Sequence, residues 1–470
     1  MAGTAIIWFR RDLRVHDHPG LAAAVAEHDR VVPLFVLDDR LLHGRFASGP
    51  RTAFMLGCLR ALDAELTARG GRLVVRRGRP EAELVALALE VGARTVLWTS
   101  DVSAFARERD TAVTAALTEA GIEARPQAGN FCADVSLPRT KAGKPMTVFT
   151  PFWKQWERLE RRRLEKAPAR ITLPDGLDPG EPPAAPVLSD ELPEPFCVPG
   201  AVAGRASMAA WIDGPIDAYG ERHDTLSGGT SGLSAYLRWG CISPRELESR
   251  AMARGSDGAA AFVRQLAWRD FYAHVLLHFP GNARLEYQER YRDLEWDVDA
   301  ELLSAWQEGR TGYPLVDAGM RQLAATGWMH NRARMVVGSF LTKDLHLDWR
   351  AGEAWFERLL LDGEPAQNNG NWQWIASTGV DPAPYFRRIF NPILQQQKFD
   401  PDGAYVRRWV PELAGVRDDQ LAEPWTLSAE EQAAAGCVIG TDYPLPIVDH
   451  AEERRITIER YRAAGGGAGA

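Results

Sequence analysis

Four short apolar runs rich in β-branched residues, Thr4–Phe9 (TAIIWF), Val31–Leu37 (VVPLFVL), Leu73–Val75 and Thr95–Thr99 (TVLWT), alternate with stretches of helical periodicity at Leu21–Glu27, Thr52–Ala68, Glu81–Val91 and Arg107–Glu119. Runs that are apolar throughout suit strands covered on both faces. The alternation predicts an N-terminal α/β domain built on an open, parallel, Rossmann-like sheet with right-handed crossovers, and the expected fold class is five-stranded. Such sheets bind ligands beyond the carboxyl ends of their strands. The first strand runs into Arg10-Arg11-Asp12-Leu13-Arg14 with no G-x-G-x-x-G, so a dinucleotide site of the usual kind is not expected. The arginine pair either caps the sheet or holds an anion.

A chain of 470 residues has room for a second domain. Ala167–Gly200 is proline-rich and poor in large apolar residues, as a linker is. Before it, Trp153–Lys166 (WKQWERLERRRLEK) reads as a basic amphipathic helix with a solvated face. From Ser207 onward the pattern is helical with short loops. The expected organisation is an α/β domain over 1–130, an interdomain linker over 131–206, an all-α domain over 207–455 and a flexible tail over 456–470.

The net charge of −8 means that a nucleic-acid partner needs a local basic face, because neutralising phosphates supplies most non-specific affinity. The five cysteines are scattered, with no C-x-x-C, which fits a reducing compartment and no structural zinc or other metal. No apolar run approaches the ~18 residues of a membrane helix, and the start lacks a signal-peptide pattern. The reading is a cytoplasmic monomer without membrane association.

Within the helical part, Leu361–Phe390 (LDGEPAQNNGNWQWIASTGVDPAPYFRRIF) is too polar for a plain core helix and too aromatic for a plain surface loop. Asn and Gly cost helix stability by up to ~1 kcal/mol per residue, so something beyond local preference must hold them there. Gly229–Ser234 (GTSGLS) precedes an apolar helical run and serves equally as an anion site or an N-cap. Gln265, Trp268, Arg269 and Tyr272 share one helical face, either an interdomain contact or a cavity wall on which Trp268 stacks a planar ligand. In Trp328–Met335 (WMHNRARM), Asn331 and Met335 lie one turn apart; an Asn amide reads base edges and Met packs softly on rings.

In order, WFRRDLR, GTSGLS, LAWRDFY, TGYPLVDAGMRQL, TGWMHNRARM, LTKDLHLDWR, NNGNWQW and PYFRRIFNP closely resemble the photolyase/cryptochrome family, and bacterial class I cyclobutane pyrimidine dimer photolyases most of all. The resemblance runs from about Thr4 to Leu413. It implies FAD held in the helical domain by Tyr219, Thr230, Ser231, Gly232, Leu233, Ser234, Arg269, Asn331, Arg334, Asp362, Gly363, Glu364 and Asn368. Arg269 is the cation implied for a reduced, anionic flavin, and Asn368 matches the position beside flavin N5. Trp372, Trp349 and Trp296 match an electron relay from flavin to surface. Gln265, Trp268, Asn331, Met335 and Trp374 match the pocket for a flipped-out lesion in UV-damaged DNA. Gln265, Trp268, Tyr272, Arg332, Arg387, Arg388 and Lys398, with Arg407 and Arg408, are the implied DNA contacts.

A second, antenna chromophore is implied near Arg51 and Asp101. The segment DVSAFARERD lacks the N-E pair of folate-binding relatives, so 8-hydroxy-5-deazaflavin is preferred over methenyltetrahydrofolate or an empty site. The chain departs from the family pattern in four places. Gln265 stands for a frequent Glu, Glu364 for the usual Asp and Gly232 for a frequent Arg, and Arg387-Arg388 holds one residue more than YFRIFNP. The expected activity is light-driven repair of cyclobutane dimers by electron transfer from reduced FAD. The rival readings are a cryptochrome-type photosensor, a (6-4) photolyase in which His330 would act, and a flavin oxidoreductase, for which no nicotinamide fingerprint exists.

Overall fold

The computed structural model describes residues 3–45, 47–180 and 192–465. Five strands, β1 (Thr4–Phe9), β2 (Arg30–Leu37), β3 (Val74–Arg77), β4 (Ala93–Thr99) and β5 (Glu123–Gln127), form one sheet in the order β3-β2-β1-β4-β5, every pair parallel. Helices α1 (Pro19–Glu27), α2 (Gly49–Thr67), α3 (Pro80–Val91) and α4 (Ala104–Glu119) make the crossovers. The two-residue period of β1 sorts its side chains. Ile6 and Trp8 pack with Leu84, Leu87, Val113 and Leu117 of α3 and α4. Ala5, Ile7 and Phe9 pack with Leu21 and Phe54 of α1 and α2, in a core that continues into the helical domain. Each buried Ile, Leu, Val or Phe side chain among them contributes about 1.5–3 kcal/mol.

The order reverses at β1 and β4, the place where an open sheet offers a ligand crevice. Here that edge faces the helical domain. Arg11, just beyond β1, pairs with Asp101 at 3.2 Å and with Glu364 of the helical domain at 2.7 Å. Arg14 donates to the Gly240 carbonyl at 3.0 Å. Burial alone would push the Asp12 carboxyl up, but His18 and the Arg10 amide hold it below the usual carboxylate range.

The middle of the chain differs from expectation. The helix expected over Trp153–Lys166 is α5 (Phe149–Trp156) and ends there. Arg161 turns to Glu248 at 2.9 Å and Arg162 to Asp17 at 2.5 Å, so the basic residues lie along an irregular segment pinned to both domains. The expected linker also holds the start of a helix, Ala201–Ile212, ahead of the expected boundary at 207; residues 181–191 of the linker lie outside the described residues.

The helical domain contains α6 (Ser234–Trp239), α7 (Asp257–His278), α8 (Asn331–Ser339), α9 (Trp349–Leu359), α10 (Pro365–Ile375) and α11 (His450–Ala464). The expected tail over 456–470 is instead helical as far as Ala464. Thr457 and Tyr461 are buried, and the Tyr461 hydroxyl donates to the Ala376 carbonyl at 2.6 Å. Residues 466–470 lie outside the described residues. A second core, with Trp306, Tyr313, Phe340, Trp349 and Trp372, sits beneath α8, α9 and α10. Among the described residues, no helix is long and apolar enough to cross a membrane.

Candidate functional site

Helix α10 carries the unusual Asn-Gly-Trp sequence, and its packing explains why. Pro365 occupies the first turn, where its missing N–H costs nothing. At Gly370 a Cβ would lie 2.2 Å from Tyr272 of α7, so glycine lets the two helices close. Asn368, Asn369, Trp372 and Gln373 form the buried face. The Asn368 amide donates to the Glu353 carbonyl at 3.0 Å and to Glu357 Oε2 at 3.3 Å, and Asn369 donates to Glu353 Oε1 at 3.0 Å. Burial pushes the Glu353 carboxyl up to about 6. The Asn368 side chain is therefore fixed through its N–H groups, and its oxygen is left as an acceptor.

Two arginines of the α/β domain brace this segment. Arg51 pairs with Glu357 at 3.1 Å and donates to the Glu357 carbonyl at 2.5 Å. Arg11 pairs with Glu364, the N-cap residue of α10. Of the implied antenna contacts, Arg51 thus crosses the domain boundary itself, while Asp101 pairs with Arg11, which does. Arg269 likewise donates to the Asn130 carbonyl at 2.7 Å.

Beside this brace lies a set of buried polar atoms without hydrogen-bond partners among the described residues: Asp362 Oδ1, Glu364 Oε2 and Arg238 Nη1. Leaving such an atom unsatisfied costs about 1–3 kcal/mol, so a set of them in one place fits a polar ligand. Arg334 holds the other oxygen of Asp362 at 2.8 Å. Arg238 donates to the Gly363 carbonyl at 2.5 Å, and burial with Arg11 nearby lowers its guanidinium to about 10. The sequence reading passed over Arg238; its position one turn beyond Ser234 on the GTSGLS helix was the available signal.

The Gly229–Ser234 segment leads into the short helix α6. The N-cap of α6 is Leu233, whose side chain makes no cap bond, and the Ser231 hydroxyl accepts the Leu233 N–H at 3.3 Å. Gly232 takes φ +64° beneath Phe196, and Ser234 accepts the Trp328 indole N–H at 3.2 Å. Tyr219 packs edge-on against Trp211 and Phe262, and burial pushes its phenol up to about 12. The acidic, guanidinium and hydroxyl groups of these segments are of the kinds that suit the ring, ribose and pyrophosphate of FAD.

Trp268, Tyr272 and Trp374 come together around a cleft of about 360 Å³, joined by Thr147, Phe149, Arg264, Gly370 and Asp381. Phe149 lies flat on Trp268, centroids 3.7 Å apart and planes 9° apart. Trp374 donates its indole N–H to Asp381 at 3.0 Å, and the Arg388 guanidinium stacks on its ring at 4.2 Å. Arg388 is 2% exposed, donates to the Trp374 carbonyl at 2.9 Å and pairs with Asp381 at 2.9 Å. The expectation of a phosphate-facing Arg388 is corrected: the extra residue of the PYFRRIF segment leaves Arg387 outside and seats Arg388 under a tryptophan.

Gln265, Asn331 and Met335 do not line that cleft. Gln265 is exposed on α7, and Asn331 reaches Met335 sulfur at 3.7 Å on α8. His330 caps α8 through Nδ1, and burial lowers its imidazole to about 4, so it is neutral at pH 7. Of the remaining expected DNA contacts, Arg332 pairs with Asp224 at 2.6 Å, Arg407 with Asp418 at 2.6 Å and Arg408 with Glu194 at 3.4 Å; Arg387 and Lys398 are exposed.

The expected relay residues differ in depth. Trp372 is buried between Trp306 and Phe356, at 6.2 Å and 5.0 Å. Trp349 is fully buried and donates to Glu286 at 3.2 Å. Trp296 is half-buried beside Tyr291 and Tyr461.

Two family models match: the DNA photolyase model over residues 5–171 and the FAD binding domain of DNA photolyase over residues 262–463. A deoxyribodipyrimidine photo-lyase of Streptomyces griseus is 44% identical, over 96% of this chain and 97% of its own. One from Halobacterium salinarum is 40% identical, over 98% and 99%. Among solved structures, a class III photolyase from Agrobacterium tumefaciens matches with TM-score 0.91 at 36% identity, over 99% of this chain and 98% of its own. A Synechocystis cryptochrome matches with TM-score 0.90 at 31% identity, over 98% and 99%. An archaeal photolyase from Sulfolobus tokodaii, solved with two FAD molecules, matches with TM-score 0.84 at 32% identity, over 98% and 100%.

Proposed function

Because this chain belongs to the DNA photolyase family, enzymes of DNA repair with an FAD-binding domain, we propose that it repairs cyclobutane pyrimidine dimers in DNA using blue light. The observation that carries the reading is the cleft walled by Trp268 and Trp374, next to the helix that bears Asn368 and Trp372. Photolyases are themselves a known instance of enzymes that take a target base out of the duplex, at a cost of roughly a few kcal/mol that is least for a damaged base. Flat aromatic walls return about 1–3 kcal/mol per stacked base. Reduced FAD, when bound, supplies the electron that light sends into the dimer and takes it back after the ring opens, with no net redox change.

This chain's own residues do the rest. Thr230, Ser231 and Ser234 with Arg238 offer donors to the pyrophosphate. Asp362, Gly363 and Glu364 meet polar edges of the cofactor, with Tyr219, Asn331, Arg334 and Arg269 completing its enclosure. Asn368, anchored through its N–H groups, presents an oxygen that accepts a hydrogen bond and cannot protonate a neighbour. Trp372, Trp349 and Trp296 step electrons inward from the surface when the cofactor has become oxidised. Trp268 and Trp374 stack the extruded pyrimidines, and Tyr272 closes the floor of the cleft.

A second light-harvesting chromophore at the α/β domain belongs to the same proposal, 8-hydroxy-5-deazaflavin before methenyltetrahydrofolate; the absorbance of the purified protein distinguishes them. The proposed setting is the cytoplasm, as a monomer. The cryptochrome likeness supports one alternative, a photosensor without repair. The test is to irradiate the FAD-loaded protein with oligonucleotides carrying each lesion. Restoration of pyrimidines from cyclobutane dimers with (6-4) lesions untouched supports the proposal, and repair of neither favours the sensor.

A further inference from the structure

Most cations expected on the DNA-facing rim are already committed. Arg332, Arg407 and Arg408 pair with carboxylates, and Arg388 lies under Trp374. A different arginine stands at the cleft. Arg264, on α7, is exposed and lines the cleft together with Trp268 and Trp374. Its guanidinium lies 5.4 Å from the Phe149 ring centroid, and Phe149 in turn lies flat on Trp268. Guanidinium, phenyl and indole thus lie together along the cleft wall. Among the described residues Arg264 pairs with no carboxylate.

Three physical points give this arrangement a direction. A guanidinium over an aromatic face is held by about 0.5–1 kcal/mol at an exposed site, enough to bias its position while its N–H fork stays available. The next residue is Gln265, which is uncharged, so no adjacent carboxylate offsets the charge. The other ionic group lining the cleft, Asp381, is neutralised by Arg388. The mouth of the cleft is therefore locally positive on a protein whose net charge is −8. An extruded dinucleotide cannot leave its phosphodiester behind. The phosphate between the two nucleosides, and the one on either side, must follow the bases toward the cleft.

Resting on the proposed function, we infer that Arg264 binds a phosphate of the extruded dinucleotide or its immediate flank, and so helps distinguish damaged from intact DNA. An intact duplex keeps its phosphates on the outer helix and does not bring one to this residue. Arg264 is a binding residue for the extruded state, distinct from the general electrostatic attraction exerted by Arg387 and Lys398.

The test measures equilibrium binding of the FAD-loaded full-length protein in the dark, over a salt series. The probes are a duplex with one cyclobutane thymine dimer, the same duplex undamaged, and dimer duplexes with an uncharged methylphosphonate at the internal, 5′ or 3′ phosphate. With Arg264→Ala, the slope of log affinity against log salt should fall by about 0.9 for the dimer duplex, the contribution of one phosphate, and stay unchanged for the undamaged one. Arg264→Lys should retain the slope. At one of the positions, the methylphosphonate should weaken binding by the wild type and add nothing to the loss in Arg264→Ala. Equal changes on damaged and undamaged duplexes, or full additivity at every position, would overturn the inference and leave the repair function standing. A wild type with no preference for the dimer duplex would overturn both.

Discussion

Trp372 and Trp374 stand two residues apart on one helix, yet their surroundings assign them different work. Trp372 is 4% exposed and its ring neighbours are the neutral Trp306 and Phe356. Trp374 is half-buried, with its N–H fixed by Asp381, its ring backed by Arg388 and its side chain lining the cleft. In the proposed mechanism, the first passes charge through the core and the second presents a rigid wall. Residue type alone carries neither role; the packed neighbours do.

The largest expected effect separates them outright. Trp372→Phe should slow photoreduction of oxidised FAD by orders of magnitude, read by transient absorption, and leave repair by chemically prereduced protein unchanged. Loss of repair in the prereduced state would erase the distinction. Trp374→Ala should do the converse. Photoreduction should persist, while affinity for a dimer-containing duplex falls by about 1–3 kcal/mol, the worth of one stacked base.

A smaller effect tests the brace behind Trp374. Arg388→Leu removes the stacked cation and leaves Asp381 without its partner. Lesion affinity should fall by roughly 1 kcal/mol, with a red shift in tryptophan emission as the indole loosens. Unchanged emission and affinity would show that Trp374 holds its place without help. Arg388→Lys keeps the charge but loses the planar fork, and should recover only part of the loss.

A test by pH concerns the carboxyl that holds Asn369, on the buried face of the same helix. Burial raises the Glu353 carboxyl from 4.5 to about 6. A carboxyl whose folded value lies above its unfolded one takes up a proton on folding. Stability should therefore be greatest below about 4.5, decline as pH rises to about 6 and be flat beyond, a change on the order of 2 kcal/mol. Glu353→Gln should flatten that part of the profile in urea titrations. A profile unaltered by the substitution would mean that the carboxyl is not desolvated as its surroundings imply.

The same contrast governs how much could be read from the chain. Strands β1 to β4 announced themselves because parallel strands buried on both faces must be apolar throughout. β5, EARPQ, has no such run, because it is an edge strand whose Arg125 turns out to Glu27. Helix patterning failed where partners distant in sequence decided the outcome. Arg161 and Arg162 are drawn off by Glu248 and Asp17, and α11 is held in place by Thr457 and Tyr461. The motif order was sufficient to identify the family, which the comparisons independently support. It did not say which arginines stay available to a ligand. Arg388 and Arg264 look alike in the chain, and only packing shows that one is buried under an indole and the other stands at a cleft.

The most direct measurement is a single-flash experiment. Chemically prereduced, FAD-loaded protein is mixed with a duplex carrying one cyclobutane thymine dimer and given one blue flash. The account predicts restored thymine absorbance after the flash, none in the dark, and a reduced cofactor at the end. Protein that binds FAD and the duplex, absorbs the flash and restores no thymine would contradict it.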